Sequence, residues 1–393
     1  MHYQATVFSA LLKGVNRRRF QASVSAHKGD RYIKTLSSWD HFVAMLYGQL
    51  SGAKSLRGLE SGHNANAHHH YHLNTKPIAR STLGDANASR PVGIFTDVLA
   101  DVIAGLGRKA RKEARASMAM IDSTPIPLGD RFDCRASNGR IKGMKLHVVF
   151  DPDTPSPLHT DITPANVNDV SFRNQVKLEA GITYVFDKGY YDFGWWRDID
   201  KKGAFFVTRS KIHSKWETIT ARAVPTSSRQ TAKDDGFTIL SDHDVMATSK
   251  SHKPQKLTCP VRLVTLKRDN NQVLTLITND KTRTAREIAL CYKKRWSIEL
   301  FFKWVKQNLN LSRFLGRSEN AVKIQITIAM IAFVLIQLAR QTSKTQLSSQ
   351  RFIQLLPAML ATRRNIATLE KPPPNNPHKR QTDPNQLDLI WTH

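Results

Sequence analysis

Three acidic residues stand where a folded chain could put them to chemical use. Asp122 follows the β-rich run SMAMI and Asp187 follows TYVF, so each falls where a buried strand delivers a side chain to the edge of a sheet. Sheet ends of this kind are the usual address of α/β active sites. The third acid, Glu299, lies inside CYKKRWSIELFFKWVKQNLNL. At about 100° per residue, Tyr292, Arg295, Glu299 and Lys306 share one face of a helix there, so a single stripe carries an acid, two cations and a phenol. Trp296, Leu300 and Trp304 occupy a neighbouring stripe, and Ile298, Phe301 and Val305 fill much of the rest. A helix with so wide an apolar girth is expected to be largely buried, and charges on its buried side need partners.

The elements that must position these residues follow from the same reading. The first hundred residues have helical periods: Ser38 can cap WDHFVAMLYGQL, with Gly52 at its end, and SLRGLES follows. The polar stretch GHNANAHHHYHLN reads as a solvated loop, because no Cys lies nearby and its His spacing matches no zinc pattern. RSTLGDANASR has the size of a short helix, and Pro91 opens a longer one through Ile103. Arg80 and Arg90 bracket that short helix in a helix-turn-helix arrangement compatible with docking on DNA. From about Ser117 the runs SMAMIDST, MKLHVVFD and LHTDIT predict three strands. Helix, strand, helix and strand come next: a helix capped by Asn168, TYVFD, YDFGWWRDIDKKG and AFFVTR. Three strands, helix, strand, helix, strand is an α/β order of the ribonuclease-H-like kind. A β-rich, basic insertion with the hairpin VRLVTLK-RDNN-QVLTLIT then precedes the helix of Glu299. The division expected is 1–114 for a helical N-terminal domain, 115–209 for the first part of the sheet core, 210–285 for the insertion, 286–342 for the second part of the core, and 343–393 for a last helix and a disordered basic tail.

Composition narrows the partner. Lys plus Arg number 59 against 32 Asp plus Glu, a formal charge of +27. An excess of this size favours phosphate backbones or anionic lipid over small neutral substrates. Against a membrane, the longest apolar stretch, Ile326 to Ile336, is shorter than the roughly 20 residues of a bilayer span and reads as a core helix. The N-terminal apolar run is too short for a signal-peptide core and is followed by Arg17, Arg18 and Arg19. Three widely spaced cysteines give no disulfide framework, so the cytoplasm, in association with the nucleoid, is the expected location.

IDST, FDKGYYD and the spacing Y-x2-R-x3-E-x6-K resemble, in order, the three catalytic motifs of bacterial DDE transposases of the insertion sequence 4 group. YKKRWSIELFFKWVKQNL through GRSENAVKIQI is similar to the C-terminal signature of that group. QLSGAKSLRGLES and RSTLGDANASRP resemble its N-terminal region, and NGRIKGMKLHVVFD its second core strand. The resemblance implies a ribonuclease-H-like core holding two Mg²⁺ ions, or Mn²⁺ in their place, through Asp122, Asp187 and Glu299. Carboxylate oxygens suit such hard cations. It further implies that Tyr292, Arg295 and Lys306 hold phosphates, and that a homodimer assembles on double-stranded DNA, both terminal inverted repeats and target. The insertion would hold a hairpinned end, and Trp216, the only Trp within it, is nominated to grip a flipped base, against the plainer reading of a core residue. Two alternatives stand beside this reading: a nuclease of the same core that cuts without joining, and a domesticated DNA-binding protein that has lost catalysis.

Overall fold

The structure is a computed structural model that describes residues 5–110, 117–134, 139, 141–211, 214–226, 232–247, 259–309, 311 and 313–369. The Pro-rich tail expected to be disordered lies outside the described residues.

Helices α1 (Val7–Leu12), α2 (Arg17–Ala26), α3 (Ser38–Ser51), α4 (Leu56–Ala65), α5 (His70–Leu73), α6 (Arg80–Ser89) and α7 (Gly93–Ala110) come first. The cap of α3 is Ser37, one residue before the expected Ser38, because Asp40 completes a capping box with it. Gly52 closes α3 in the left-handed region at φ 71. The His-rich stretch is not a solvated loop. Helix α4 runs on to Ala65, a 3-10 turn spans Ala67–His69, and His63, His69 and His70 are buried. Burial pushes His63 down to about 4, so it is held neutral.

One sheet of nine strands follows: β1 (Met118–Pro127), β2 (Gly143–Asp151), β3 (Ser156–Pro164), β4 (Thr183–Phe186), β5 (Phe205–Arg209), β6 (Trp216–Ala221), β7 (Phe237–Ala247), β8 (Val261–Arg268) and β9 (Val273–Thr278). Their order is β3-β2-β1-β4-β5-β9-β8-β7-β6. Strands β1, β4 and β5 are parallel, and β2 and β3 return antiparallel beside β1. The 3-2-1-4-5 half is the ribonuclease-H-like mixed sheet. Strand β9 pairs antiparallel with β5, Val207 opposite Thr278, so the insertion prolongs the core sheet instead of forming a sheet of its own. Asn271, at φ 63, makes the tight turn between β8 and β9.

The pleat sorts side chains between the two faces of the sheet. Met120, Val148, Phe150, Val185 and Val207 join one core with the N-terminal helices. Ala119, Ile121, Tyr184, Phe186 and Phe206 join a second core around α8 (Phe193–Lys201). On the first face lie α9 (Ala285–Lys293), begun by a Thr284–Glu287 capping box, then α10 (Trp296–Asn308) and α11 (Glu319–Ser343). Helix α11 is the one described helix long and apolar enough to cross a membrane, and 83% of its apolar window is buried inside the protein. It is the axis on which α3, α6 and α7 pack. Helix α12 (Ser349–Met359) completes the described chain with a short 3-10 turn.

Two expectations for the Glu299 segment need correction. The chain does not form one helix through Tyr292 and Glu299: Lys294 and Arg295 are a turn between α9 and α10, with Arg295 N–H donating to Tyr292 O at 3.0 Å in place of a full α-helical bond. Nor is the apolar girth wholly buried. Ile298, Phe301, Phe302 and Val305 are buried, whereas Trp296 and Leu300 are 59% and 51% exposed, because the sheet and α11 cover only one side of α10.

Candidate active site

Asp122 sits inside β1 and not after it, yet its position is still a strand end in the sense that matters. On the β4 side, pairing stops at Ile121 opposite Phe186, while on the other side β1 continues against β2, with Asp122 opposite Val148. Asp187 is the residue after Phe186 and begins a 3-10 turn, Lys188–Tyr190. The register thus places the two acids side by side at the carboxyl end of neighbouring parallel strands. Alternation puts Asp122 on the same face as Met120, the face that α10 covers.

Glu299 lies in the first turn of α10. Arg295, in the turn before it, bridges two of the acids: Nη1 donates to Asp122 Oδ2 at 3.2 Å and Nη2 donates to Glu299 Oε1. Asp122 Oδ1 accepts from the Ser123 N–H at 2.8 Å. Asp187 Oδ1 is buried and has no hydrogen-bond partner. The Tyr292 hydroxyl is also buried without a partner, and the Arg295 guanidinium lies 5.7 Å from the centre of its ring.

Charge at this site is unbalanced. Asp122 and Glu299 share one ion-pair partner among the described residues, Arg295, and Asp187 Oδ1 has no hydrogen-bond partner. Burial, reinforced by the charges of Asp187 and Glu299, pushes the Asp122 carboxyl up to about 6, against the pull of the Ser123 N–H and Arg295. Burial also raises the Tyr292 phenol, with Arg295 opposing and Asp187 adding to the rise. Burial works against the Arg295 charge, but Tyr292, Glu299 and Asp122 together hold its pKa above the ordinary value.

Among the described residues, no three His, Cys, Asp or Glu side chains converge on a common point as a ready cage for an ion. Arg295 stands between two of the acids instead. The donor set nonetheless fits a hard divalent cation: every candidate ligand is a carboxylate, and one of the oxygens, Asp187 Oδ1, is buried with nothing to satisfy it.

The remaining sequence candidates lie apart from this cluster. Lys306 is exposed, two turns beyond Glu299 on α10 and roughly 10 Å along its axis, and forms no ion pair among the described residues. Arg80 is exposed at the first position of α6 and lines, with Arg57, a shallow cavity of about 630 Å³. Arg90 is 4% exposed and cannot face DNA as expected. Its guanidinium donates to Gly29 O, Leu36 O, Ser38 Oγ and Asp30 Oδ1, tying the loop before α3 to the end of α6. Trp216 opens the edge strand β6, half-buried, with Nε1 donating to Ser210 Oγ at 3.3 Å and its ring against Phe193, which agrees with the core reading.

Sequence reasoning overlooked three residues behind the site. Asp169 accepts from Ser123 Oγ and from Lys145 Nζ, both at 3.0 Å. Their only signal was that Ser123 and Lys145 sit in motifs singled out for other reasons. Arg209, the last residue of β5, was also missed; it is close enough to Tyr292 to lower its pKa.

Comparison with known proteins supplies an independent line. Residues 114–335 match the family described as transposase DDE domain, and residues 3–76 match a domain of unknown function. A putative transposase of Sinorhizobium fredii is 44% identical over 311 residues, 79% of this chain and 85% of that protein. A probable transposase of an insertion sequence element of Geobacillus stearothermophilus is 29% identical over 284 residues, 70% and 71% of the two chains. Among solved structures, a piggyBac transposase synaptic complex with hairpin DNA aligns over 93% of this chain and 80% of that one, at 11% identity and a TM-score of 0.46, a level at which no detail transfers.

Proposed function

The chain belongs to the DDE transposase family, enzymes that act on DNA, and we propose that it binds the terminal inverted repeats of an insertion sequence as a dimer, hydrolyses a phosphodiester at each end to free a 3′-hydroxyl, and joins that hydroxyl to target DNA. The observation that carries this reading is Asp122 and Glu299 bridged by a single arginine, with Asp187 at the end of the neighbouring strand and one of its oxygens buried and unsatisfied.

In this proposal Asp122, Asp187 and Glu299 hold two Mg²⁺ ions. The chemistry such a pair supplies is activation of the attacking oxygen and stabilisation of the departing one. The chain's own residues do the rest. Arg295 keeps two acids together within the positive field of the protein. Its planar fork, which grips carboxylates here, suits a phosphate equally well. The Tyr292 hydroxyl, buried and unpartnered, is free to donate to a phosphate oxygen beside Arg295. Lys306 offers a point charge farther along α10, on the path of the backbone that leaves the site. Arg80, with Arg57 beside it, belongs to the surface that holds the element's end; Trp216, at the rim of the inserted strands, would meet DNA only at its exposed edge. The reaction takes place in the cytoplasm, at the nucleoid.

The test is cleavage of an inverted-repeat duplex in the presence of Mg²⁺, followed by capture of the freed end in a target plasmid. Nicking and joining are expected, and chelation should stop both while leaving binding intact. Nicking that survives Asp122→Ala, Asp187→Ala and Glu299→Ala alike would remove the site assignment.

A further inference from the structure

We propose that Asp169 is a positioning residue for this site: from the opposite face of the sheet it holds, through Ser123, the end of β1 that carries Asp122, and it lies beside the turn that follows Asp187. The inference rests on the metal-site reading above and goes beyond it by assigning a fourth carboxylate that touches no reacting atom.

Consecutive strand residues point to opposite faces, so Ser123 turns away from α10 when Asp122 turns toward it. On that far side Ser123 Oγ donates to Asp169 Oδ1 at 3.0 Å. Ser123 is also the residue whose backbone N–H donates to Asp122 Oδ1, at 2.8 Å. Anchoring the serine side chain therefore sets the direction of the amide that orients the Asp122 carboxylate. It commits Oδ1 and leaves Oδ2 facing Arg295 and Glu299.

The same aspartate abuts the second loop. Gly189 lies two residues after Asp187, and a methyl group placed on it would stand 3.4 Å from Asp169 Oδ2. Tyr190, buried next to it, has its phenol raised well above the ordinary value, by burial first and then by the charges of Asp169 and Asp122. Its hydroxyl lies 3.5 Å from His147 Nδ1. One carboxylate thus accepts a hydrogen bond from the residue directly after Asp122 and lies beside the turn directly after Asp187.

Asp169 can hold this place because it brings its own counter-ion. Lys145, in β2, donates to Asp169 Oδ1 at 3.0 Å and to Val167 O at 2.8 Å, and both side chains of the pair are largely buried. Lys145 is opposite Pro125 in the β1–β2 ladder, so the ammonium arrives from the strand next to Asp122. With its charge neutralised, Asp169 adds little to the repulsion among the three acids in front. Residues that orient ligands from behind in this way typically change metal affinity by about 10- to 100-fold when removed.

The experiment is titration of Mn²⁺ into the full chain, by calorimetry or by the loss of the free-ion paramagnetic signal, with thermal unfolding measured on the same samples. Ser123→Ala and Asp169→Ala are each expected to weaken Mn²⁺ binding about tenfold. Ser123→Thr, which restores the hydroxyl, should recover the wild-type affinity. The double variant Ser123→Ala with Asp169→Ala should weaken binding no more than one of them alone, because both remove one hydrogen bond. Unchanged Mn²⁺ affinity in Ser123→Ala, with affinity lost in Asp122→Ala, overturns the positioning role alone. Unchanged affinity in Asp122→Ala as well overturns the metal reading with it.

Discussion

Two buried charge clusters lie in the one sheet, and they are built on opposite principles. In the inserted strands, Arg262 and Asp242 are 2% and 4% exposed. Arg262 Nε and Nη2 donate to the two Asp242 oxygens at 2.8 and 2.7 Å, and Nη1 donates to Asp280 O and Arg283 O. One charge meets one charge in fork geometry, and the remaining donors are spent on carbonyls. At the end of β1 and β4, two of three acids share one arginine, an oxygen of the third, Asp187, is orphaned, and Asp122 is pushed up to about 6. Ionising Asp122 in place costs about 3 kcal/mol relative to water, a cost the fold has not removed. The first cluster is finished when the chain folds. The second is left with charge unbalanced, which on the proposed function is where added positive charge completes it.

The largest effect that would break the comparison is catalytic. Asp122→Ala, Asp187→Ala and Glu299→Ala should each lower cleavage of an inverted-repeat duplex on the order of a thousandfold or more, read by product formation in Mg²⁺. Asp242→Ala, by contrast, leaves Arg262 buried without its partner. It should cost about 3–5 kcal/mol of stability, seen as a lowered denaturation midpoint, while any protein that remains folded still binds metal.

The next effect has the opposite sign at the open cluster. Asp122→Asn removes the need to ionise a buried group, so the metal-free fold should gain about 1–3 kcal/mol at pH 7 even as catalysis is lost. A destabilised Asp122→Asn would mean that Arg295 already balances the site.

The pH dependence sharpens the same point. Asp122 has a folded pKa above its unfolded one, so its contribution to stability is fully present below about pH 4 and is lost as pH rises through about 6. The stability difference between wild type and Asp122→Asn should therefore vanish at pH 4 and reach its full size above pH 6, measured by chaotrope unfolding without divalent ions. In the N-terminal helices the sign reverses. Burial lowers His41 and His63 to about 4, so the stability that depends on their being neutral is present above about pH 6.5 and is lost as pH falls through about 4. Substituting Asn for His63 should reduce that acid limb to the part His41 supplies and leave the Asp122 limb unchanged. The smallest effect concerns steering: binding of DNA should weaken with about one power of salt concentration for each phosphate contacted, and Arg80→Ala should reduce that slope by about one.

Much of this was legible in the sequence because local periodicity carries it. The strands that bear Asp122 and Asp187, the Glu299 helix and the core helix α11 all announce themselves through apolar spacing. What escaped depends on partners distant in the chain. Asp122 lies inside β1 because β2 outlasts β4 alongside it, and no window around residue 122 reveals the length of a neighbouring strand. Arg90 looked like a DNA contact because its acceptors, Gly29, Leu36, Ser38 and Asp30, are 52 to 61 positions earlier. His63 looked solvated because polarity was taken for exposure, whereas the α4 face it shares with Leu59 is covered. Trp296 and Leu300 looked buried because apolar girth says how much surface could be covered, not how much the sheet and α11 reach.

The contrast between a closed and an open cluster is tested most directly by locating a divalent ion on the chain itself. Fe²⁺ put in place of Mg²⁺, with ascorbate and peroxide, cuts the backbone next to its ligands. Fragments are expected to end close to 122, 187 and 299, to disappear when Mg²⁺ is added in excess, and to be absent near 242 and 262. Cuts near 242 and 262, or a chain left whole around 122, 187 and 299, would contradict the account.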